Sequence, residues 1–139
     1  MNEQAGRHKS PRYELLMSPS MTVRNLERPQ PHPARITWCD SFLCRLRGLM
    51  FRTRLEPDEG LLLVQGRDSR LDASIHMLFV PFNLCVVWIN AAKIVVDKAL
   101  AKSWRPAYFP ARPARYILEI HPSRWEEYRV GERVEFTDG

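Results

Sequence analysis

The fold class of this chain is decided by one stretch, Leu84-Cys85-Val86-Val87-Trp88-Ile89-Asn90-Ala91-Ala92-Lys93-Ile94-Val95-Val96. The apolar run from Leu84 to Ile89 is far too short to cross a bilayer, and it predicts a strand that is covered on both faces. Asn90 to Lys93 then lead into a second β-rich run, and Asn90 is the residue here that best tolerates positive φ. We therefore predict a β-hairpin over residues 84–100.

Further short apolar runs, each bounded by turn residues, lie on both sides of this hairpin. Branched and aromatic side chains in such runs suit a pleated surface. We predict strands over residues 21–26, 35–38, 61–64, 75–80, 116–120 and 133–136. The proline-rich segments 28–33 and 105–113 are predicted to be connections. Short strands in this number, without an alternating βα pattern, predict a mainly-β domain, either a small sandwich or a partly closed barrel.

One segment has a clear helical period. Asp40 or Ser41 can accept hydrogen bonds from the first free amides of a helix. Apolar side chains then recur along one stripe, at Phe42, Leu43, Leu46, Leu49 and Met50. We predict one short helix, about residues 41–51, with arginines on its polar side. A capping-box pattern over residues 123–126 predicts one further helical turn.

The composition places the chain among ordinary globular proteins. It has 139 residues, 45% hydrophobic and 27% charged, which suits a single domain. Residues 1–20 are polar and contain proline, so we predict a flexible tail there and one β-rich domain over residues 21–139. With neither a secretory signal nor a long apolar run, we expect a cytoplasmic protein without a membrane segment. The odd number of cysteines, at 39, 44 and 85, argues against a disulfide framework, and we expect reduced, mostly buried thiols.

A more specific signal is Arg45-Leu46-Arg47-Gly48-Leu49-Met50-Phe51-Arg52. It resembles the Arg-x-Arg-Gly-Leu-Met-x-Arg signature of domain-of-unknown-function family 192, an uncharacterised protein family. Residues 59–64 resemble that family's Gly-Met-Leu-Phe segment, and residues 74–82 resemble its Ile-His-Met branch. The resemblance covers roughly residues 21–136 and implies a jelly-roll-like β-sandwich with one helix. It implies no reaction, substrate or cofactor, and Cys85 stands where the family pattern has an acid.

The candidate site residues are basic and aromatic. The formal net charge is +5, with the excess in the N-terminal part of the chain. Arg45, Arg47 and Arg52 could bind an anion through their planar, forked donors, and Arg47 is the main candidate. Trp104 and Arg105 lie on a basic, proline-rich loop and could contact the same ligand. Alternatively, the helix arginines pair with Asp or Glu across the sheet and fix the helix in place.

Three functions stay open at this stage. The leading one is a small non-enzymatic binding or accessory module with a basic site for a small anion or an acidic protein surface. A second is weak nucleic-acid binding through the basic excess. A third is a thiol-dependent enzyme that uses Cys85 with His76, although the apolar run around Cys85 should raise the pKa of the thiol. The spacing of the cysteines and histidines shows no metal motif, and we expect no cofactor.

Overall fold

The computed structural model describes residues 20–138 and consists of seven strands and two short helical segments. The strands are β1 (Ser20–Asn25), β2 (Arg35–Cys39), β3 (Glu59–Ser69), β4 (Leu84–Ile89), β5 (Val95–Ala101), β6 (Ala114–Ile120) and β7 (Val134–Asp138). Helix α1 is Phe42–Arg47, and a 3₁₀ helix covers Pro122–Glu127. The predicted tail, apart from Ser20, lies outside the described residues. Within the described range, no helix has the length and apolar character needed to span a membrane.

The strands form one sheet in the order β5-β4-β6-β3-β2-β1-β7. The predicted hairpin is present as the antiparallel pair β4 and β5, and β6 pairs with β4 on its other edge. Every residue of β4 is buried, which confirms the prediction of a strand covered on both faces. β2 and β3 are parallel, and the connection between them contains α1.

The two outer strands of the sheet meet at one end. Gly131 N donates to Val95 O at 2.8 Å, and Val134 N donates to Lys93 O at 2.9 Å. Ile94 and Arg133 form an isolated bridge at the same place. The sheet therefore curls into a partly closed barrel, which confirms the mainly-β class predicted from the sequence.

The curled sheet has a separate apolar core on each face. Inside the curl, Leu62, Val87 and Leu118 are completely buried, together with the thiol-bearing Cys85. On the outer face, Leu63, Trp88 and Ile117 pack under the loops that connect the strands. Alternation along β4 and β6 assigns neighbouring side chains to opposite cores. The outer core positions the candidate site.

Residues 75–80 do not form the predicted strand. Ile75 makes one bridge with Tyr108, and Met77 exchanges backbone hydrogen bonds with the loop at Trp104 and Arg105. These partners belong to an irregular loop rather than to a strand, so the segment does not join the sheet. It lies across the outer face instead, where Met77 is 1% exposed.

Helix α1 is shorter than predicted. The hydroxyl of Ser41 accepts a hydrogen bond from Cys44 N, as the capping pattern indicates. The helix ends at Arg47 because Gly48 takes a φ of 51° and its N–H bonds to Cys44 O. Of the predicted apolar stripe, Leu49 is buried, but Phe42, Leu43 and Leu46 are exposed.

The expectation of three reduced cysteines is wrong for two of them. Cys39 ends β2, and Cys44 lies in the first turns of α1, so the start of the helix brings their Cα atoms to 5.6 Å. That separation suits a disulfide, and the two residues form one. Cys85 has a free, buried thiol, and burial raises its pKa to about 12.

We therefore expect thiol titration to distinguish the three cysteines. The native, unreduced protein should give no fast reaction with a thiol reagent, because Cys85 is buried and protonated. Unfolding in guanidinium should expose one thiol, and reduction before unfolding should expose three. Three reactive thiols in the unreduced, unfolded protein would contradict the Cys39–Cys44 bond.

Candidate functional site

A pocket of about 60 Å³ lies on the outer face of the sheet. One wall is the chain from Arg45 to Met50, which is the end of α1 and the turn after it. The other wall is the chain from Ser74 to Met77. Leu63, Leu84 and Glu119 contribute from the sheet. The parallel β2–β3 connection places α1 over the sheet and so forms the pocket.

Glu119 is the unusual member of this lining. It lies on β6 between two buried apolar residues, and it is only 5% exposed. No hydrogen bond or ion pair to its carboxyl group is found among residues 20–138. Because burial penalises the charged form, the pKa of Glu119 rises to about 7. We refer to this cavity as the Glu119 pocket.

Two other carboxylates that are partly shielded from water have partners, which Glu119 does not among residues 20–138. Glu132 accepts from Arg28, from Asn25 and from the backbone of Arg129, and these donors lower its pKa to about 2. Glu127 pairs with Arg124 at 2.8 Å. Buried polar groups in native proteins normally have partners, so an unpartnered carboxyl group in a pocket requires an explanation.

Three basic side chains also line the Glu119 pocket. Arg45 donates from Nη1 to the backbone oxygens of Asp40 and Val64, which directs its guanidinium toward the protein. Arg47 is exposed, and no carboxylate pairs with it within the described range. His76 accepts a hydrogen bond at Nδ1 from Leu78 N, so the neutral ring carries its proton on Nε2.

An exposed aromatic surface, made of Phe51, Phe79 and Trp104, lies next to these elements. The rings of Phe51 and Phe79 are 5.1 Å apart, and those of Phe79 and Trp104 are 5.2 Å apart. Phe51 is 65% exposed, Phe79 45% and Trp104 53%. The N–H of Trp104 donates to Met77 O, so the aromatic surface is attached to the same segment that forms the pocket wall.

All three residues of the aromatic surface have left-handed backbones, with φ of 66°, 62° and 66°. This conformation costs an L-residue about 1–2 kcal/mol because Cβ crowds the carbonyl oxygen. Strained residues that persist on a surface often mark a functional region. Glycine at these positions would remove the strain, yet each carries a large exposed ring.

The structure brings some of the predicted site residues together. Arg45, Arg47 and His76 line the Glu119 pocket. Trp104 and Arg105 lie outside it, on the loop that bonds to Met77. Arg52 instead forms an ion pair, which was the alternative prediction for these arginines. Its partner is Glu59, at 2.7 Å.

Cys85 and His76 are not brought together. Cys85 points into the core inside the curl, whereas His76 lines a pocket on the outer face. The sheet therefore separates the two side chains. Within residues 20–138, no cluster of three His, Cys, Asp or Glu side chains could hold a metal ion.

Sequence reasoning missed Glu119. The signal was available, because Glu119 is the one acid in the apolar run from Tyr116 to Ile120. In a strand with one solvated face, however, such a residue is expected to point into water. Only the loop over the outer face, distant in the sequence, makes this position buried.

The fold and pocket define a class of small, partly closed β-barrels with one helix over the outer face. The model of domain-of-unknown-function family 192, described as "Uncharacterized ACR", matches residues 23–136, and the chain belongs to this family. A UPF0127 protein from Pyrococcus furiosus is 38% identical over 104 residues, which cover 73% of this chain and 86% of that relative.

Two solved structures share the fold. A protein of unknown function from Novosphingobium aromaticivorans superposes with a TM-score of 0.71 at 22% identity, over 84% of this chain and 83% of that one. A protein from Sinorhizobium meliloti, described provisionally as a transcription regulator, gives a TM-score of 0.74 at 18% identity, over 85% and 92% of the two chains. At these identities the likeness concerns the fold alone.

Proposed function

We propose that this protein is a non-enzymatic binding module for a small anion that also carries a flat or apolar group. The observation that carries the proposal is the aromatic surface of Phe51, Phe79 and Trp104, which is exposed on strained backbone. Arg47, with which no carboxylate of residues 20–138 pairs, lies one turn before Phe51. A ligand that covers these rings would remove apolar area from water, and Arg47 would pair with its anionic group.

Arg47 and the aromatic surface are joined by one tight turn. Met50 N donates to Arg47 O at 2.9 Å, and Phe51 follows directly. Backbone hydrogen bonds therefore fix the separation of the Arg47 and Phe51 backbones, and the Arg47 side chain extends from one end of this turn. A small anion fits this arrangement better than an acidic protein surface does, because the Glu119 pocket beside Arg47 is concave and small.

Three probes separate the parts of this proposal. Benzoate carries a ring and a charge, benzyl alcohol the ring alone, and inorganic phosphate the charge alone. We expect benzoate to bind more tightly than either of the others in an NMR titration that follows the Trp104 indole N–H. Arg47→Ala should weaken benzoate binding about tenfold, the loss expected for a charge-assisted hydrogen bond.

Two further variants complete the test, one as a control and one that removes a ring. Arg24→Ala removes an exposed arginine on β1 and should leave benzoate binding within twofold. Trp104→Gly removes one ring without leaving a Cβ on the left-handed backbone, so the variant should fold and should bind benzoate less tightly. Equal losses with Arg24→Ala and Arg47→Ala, or no benzoate binding at all, would refute the proposal.

Single-stranded nucleic acid is a second candidate ligand, favoured by the loop over residues 102–113. Trp104 and Phe109 are exposed there, among the exposed cations Lys102, Arg105 and Arg112. Aromatic rings interleaved with cations are typical of surfaces that stack bases. Fluorescence anisotropy with labelled oligo(dT) should then show binding that weakens steeply as salt is added. No binding at low salt would remove this candidate.

The third hypothesis, an enzyme that uses Cys85 and His76, has no support from the geometry. The two groups lie on opposite faces of the sheet, and the pKa of the Cys85 thiol is raised to about 12. A thiolate nucleophile needs the opposite shift.

A further inference from the structure

We propose that the Glu119 pocket binds the protonated amine of a small zwitterion, whose anionic group pairs with Arg47. The amine site is independent of the proposed function. The placement of the anionic group at Arg47, by contrast, rests on the proposed function.

Glu119 is buried and lacks a hydrogen-bond donor among the described residues. Glu119 is rigidly placed, because β6 pairs on both edges, through Leu61 on β3 and Val86 on β4. A carboxylate that is buried, fixed and unpartnered is complementary to a cationic donor from outside the chain.

The walls of the Glu119 pocket are mainly apolar, and the pocket is small. The apolar walls include Leu49, Leu63, Ile75, Met77, Val80 and Leu84. A volume of about 60 Å³ admits a few non-hydrogen atoms, since one water needs roughly 10–15 Å³ on the same measure. A short methylene stem that ends in an ammonium group matches apolar walls and a charged floor. The compact ammonium fits a pocket of this volume better than the broader guanidinium does.

The lining of the Glu119 pocket also carries positive charge. Arg45 and Arg47 line the same pocket as Glu119, so positive charge stands near a carboxyl group that is negative once it ionises. A ligand with an amine alone would meet repulsion from these arginines. A ligand that carries an anionic group beyond its methylene stem would instead pair with Arg47, which is exposed. Opposite charges at the two ends of the site therefore favour a zwitterion.

The test uses four small unbranched probes. They are n-butylamine, butyrate, 4-aminobutyrate and 6-aminohexanoate. Binding is followed by NMR on the methyl groups of Leu49, Met77 and Leu84, because these groups line the pocket and report where a probe lies. We expect 4-aminobutyrate or 6-aminohexanoate to shift these signals and to bind about tenfold more tightly than n-butylamine.

Glu119→Gln provides the decisive variant, because it keeps the shape of the side chain and removes its charge. It should weaken every amine-bearing probe by about tenfold or more and leave butyrate binding unchanged. Glu135→Gln makes the same change at an exposed position on β7 and should have no effect. If no amine-bearing probe shifts the pocket methyl groups, or if Glu119→Gln binds them as tightly as the native protein does, the proposal is overturned.

Arg47→Ala distinguishes this proposal from the proposed function. It should weaken the zwitterions and leave n-butylamine unaffected or bound more tightly. Benzoate binding that needs Arg47, without amine binding at Glu119, would overturn the zwitterion site and leave the proposed function standing. Zwitterion binding that needs Glu119 but is indifferent to Arg47 would overturn the zwitterion assignment and leave the amine subsite alone standing.

Discussion

Glu119→Gln is expected to stabilise the protein by about 3 kcal/mol above pH 7 and to change its stability little near pH 4. The pKa of this buried carboxyl group is about 7 in the folded state, against 4.5 as its ordinary value. Each unit of difference corresponds to about 1.4 kcal/mol, which gives the size of the effect. Glutamine has nearly the same shape and never ionises, so it avoids the cost.

The sign follows from proton binding. Below pH 4.5 the carboxyl group is protonated in both states, and stability is unaffected. Between pH 4.5 and 7 the unfolded chain releases the proton while the folded protein keeps it, so stability falls as the pH rises. Above pH 7 both states are ionised, and the native protein bears the full cost of a buried charge.

Urea unfolding of both proteins at pH 4, 5.5 and 8 measures this difference directly. Other groups, such as Glu132 with its pKa of about 2, act equally in the two proteins and cancel in the comparison. Glu135→Gln should give a difference near zero at each pH. A gap between native and Glu119→Gln proteins that stays constant from pH 4 to pH 8 would contradict the assignment of the burial cost to Glu119.

Trp88→Ala is expected to lower the free energy of unfolding by about 3–5 kcal/mol, a large part of what a domain of this size has. Trp88 on β4 is 1% exposed, and its Nε1 donates to Ala73 O at 2.8 Å. The ring therefore fills the outer core and also holds the loop that leads into the pocket wall. The substitution leaves both a cavity and an unpaired carbonyl group.

Trp88→Phe separates the two contributions. Phenylalanine keeps most of the ring and loses the hydrogen bond, so it should cost about 1–3 kcal/mol. In both variants the amides of Ile75 and Met77, which bond to Tyr108 and Arg105, should lose hydrogen-exchange protection before the strands do. Trp104→Gly, on the surface, should not change exchange in β4. Uniform loss of protection across the sheet would contradict a local role for Trp88.

The strands could be predicted from the sequence because their signals are local. The apolar run of β4 and the branched residues of β2 indicate strands, and both segments do form them. The segment from Ile75 to Val80 has the same local pattern, yet Met77 bonds to a loop near residue 104. The hydrogen-bond partner of a backbone segment depends on how the whole chain folds, so the sequence of residues 75–80 alone does not reveal it.

The candidate site was predicted only in part, for a related reason. Arg45 and Arg47 stand out because a helix pattern with a conspicuous signature contains them. Glu119 becomes a candidate site residue only because the helix and residues 74–77 cover its face of the sheet and bury it. The disulfide likewise depends on where β2 ends and α1 begins, since a separation of five residues fits other geometries equally well.

The hydrogen bonds that join β5 to β7 have a consequence for the behaviour of the protein in concentrated solution. Exposed strand edges invite pairing with other chains and so promote aggregation. Here Val95 and Val134 already use their N–H groups within the molecule, on Glu132 O and Lys93 O. The paired end of the two edges thus offers no template to a second chain. Self-association by strand addition would have to begin at the far end of β5, where Leu100 is exposed, or at the far end of β7.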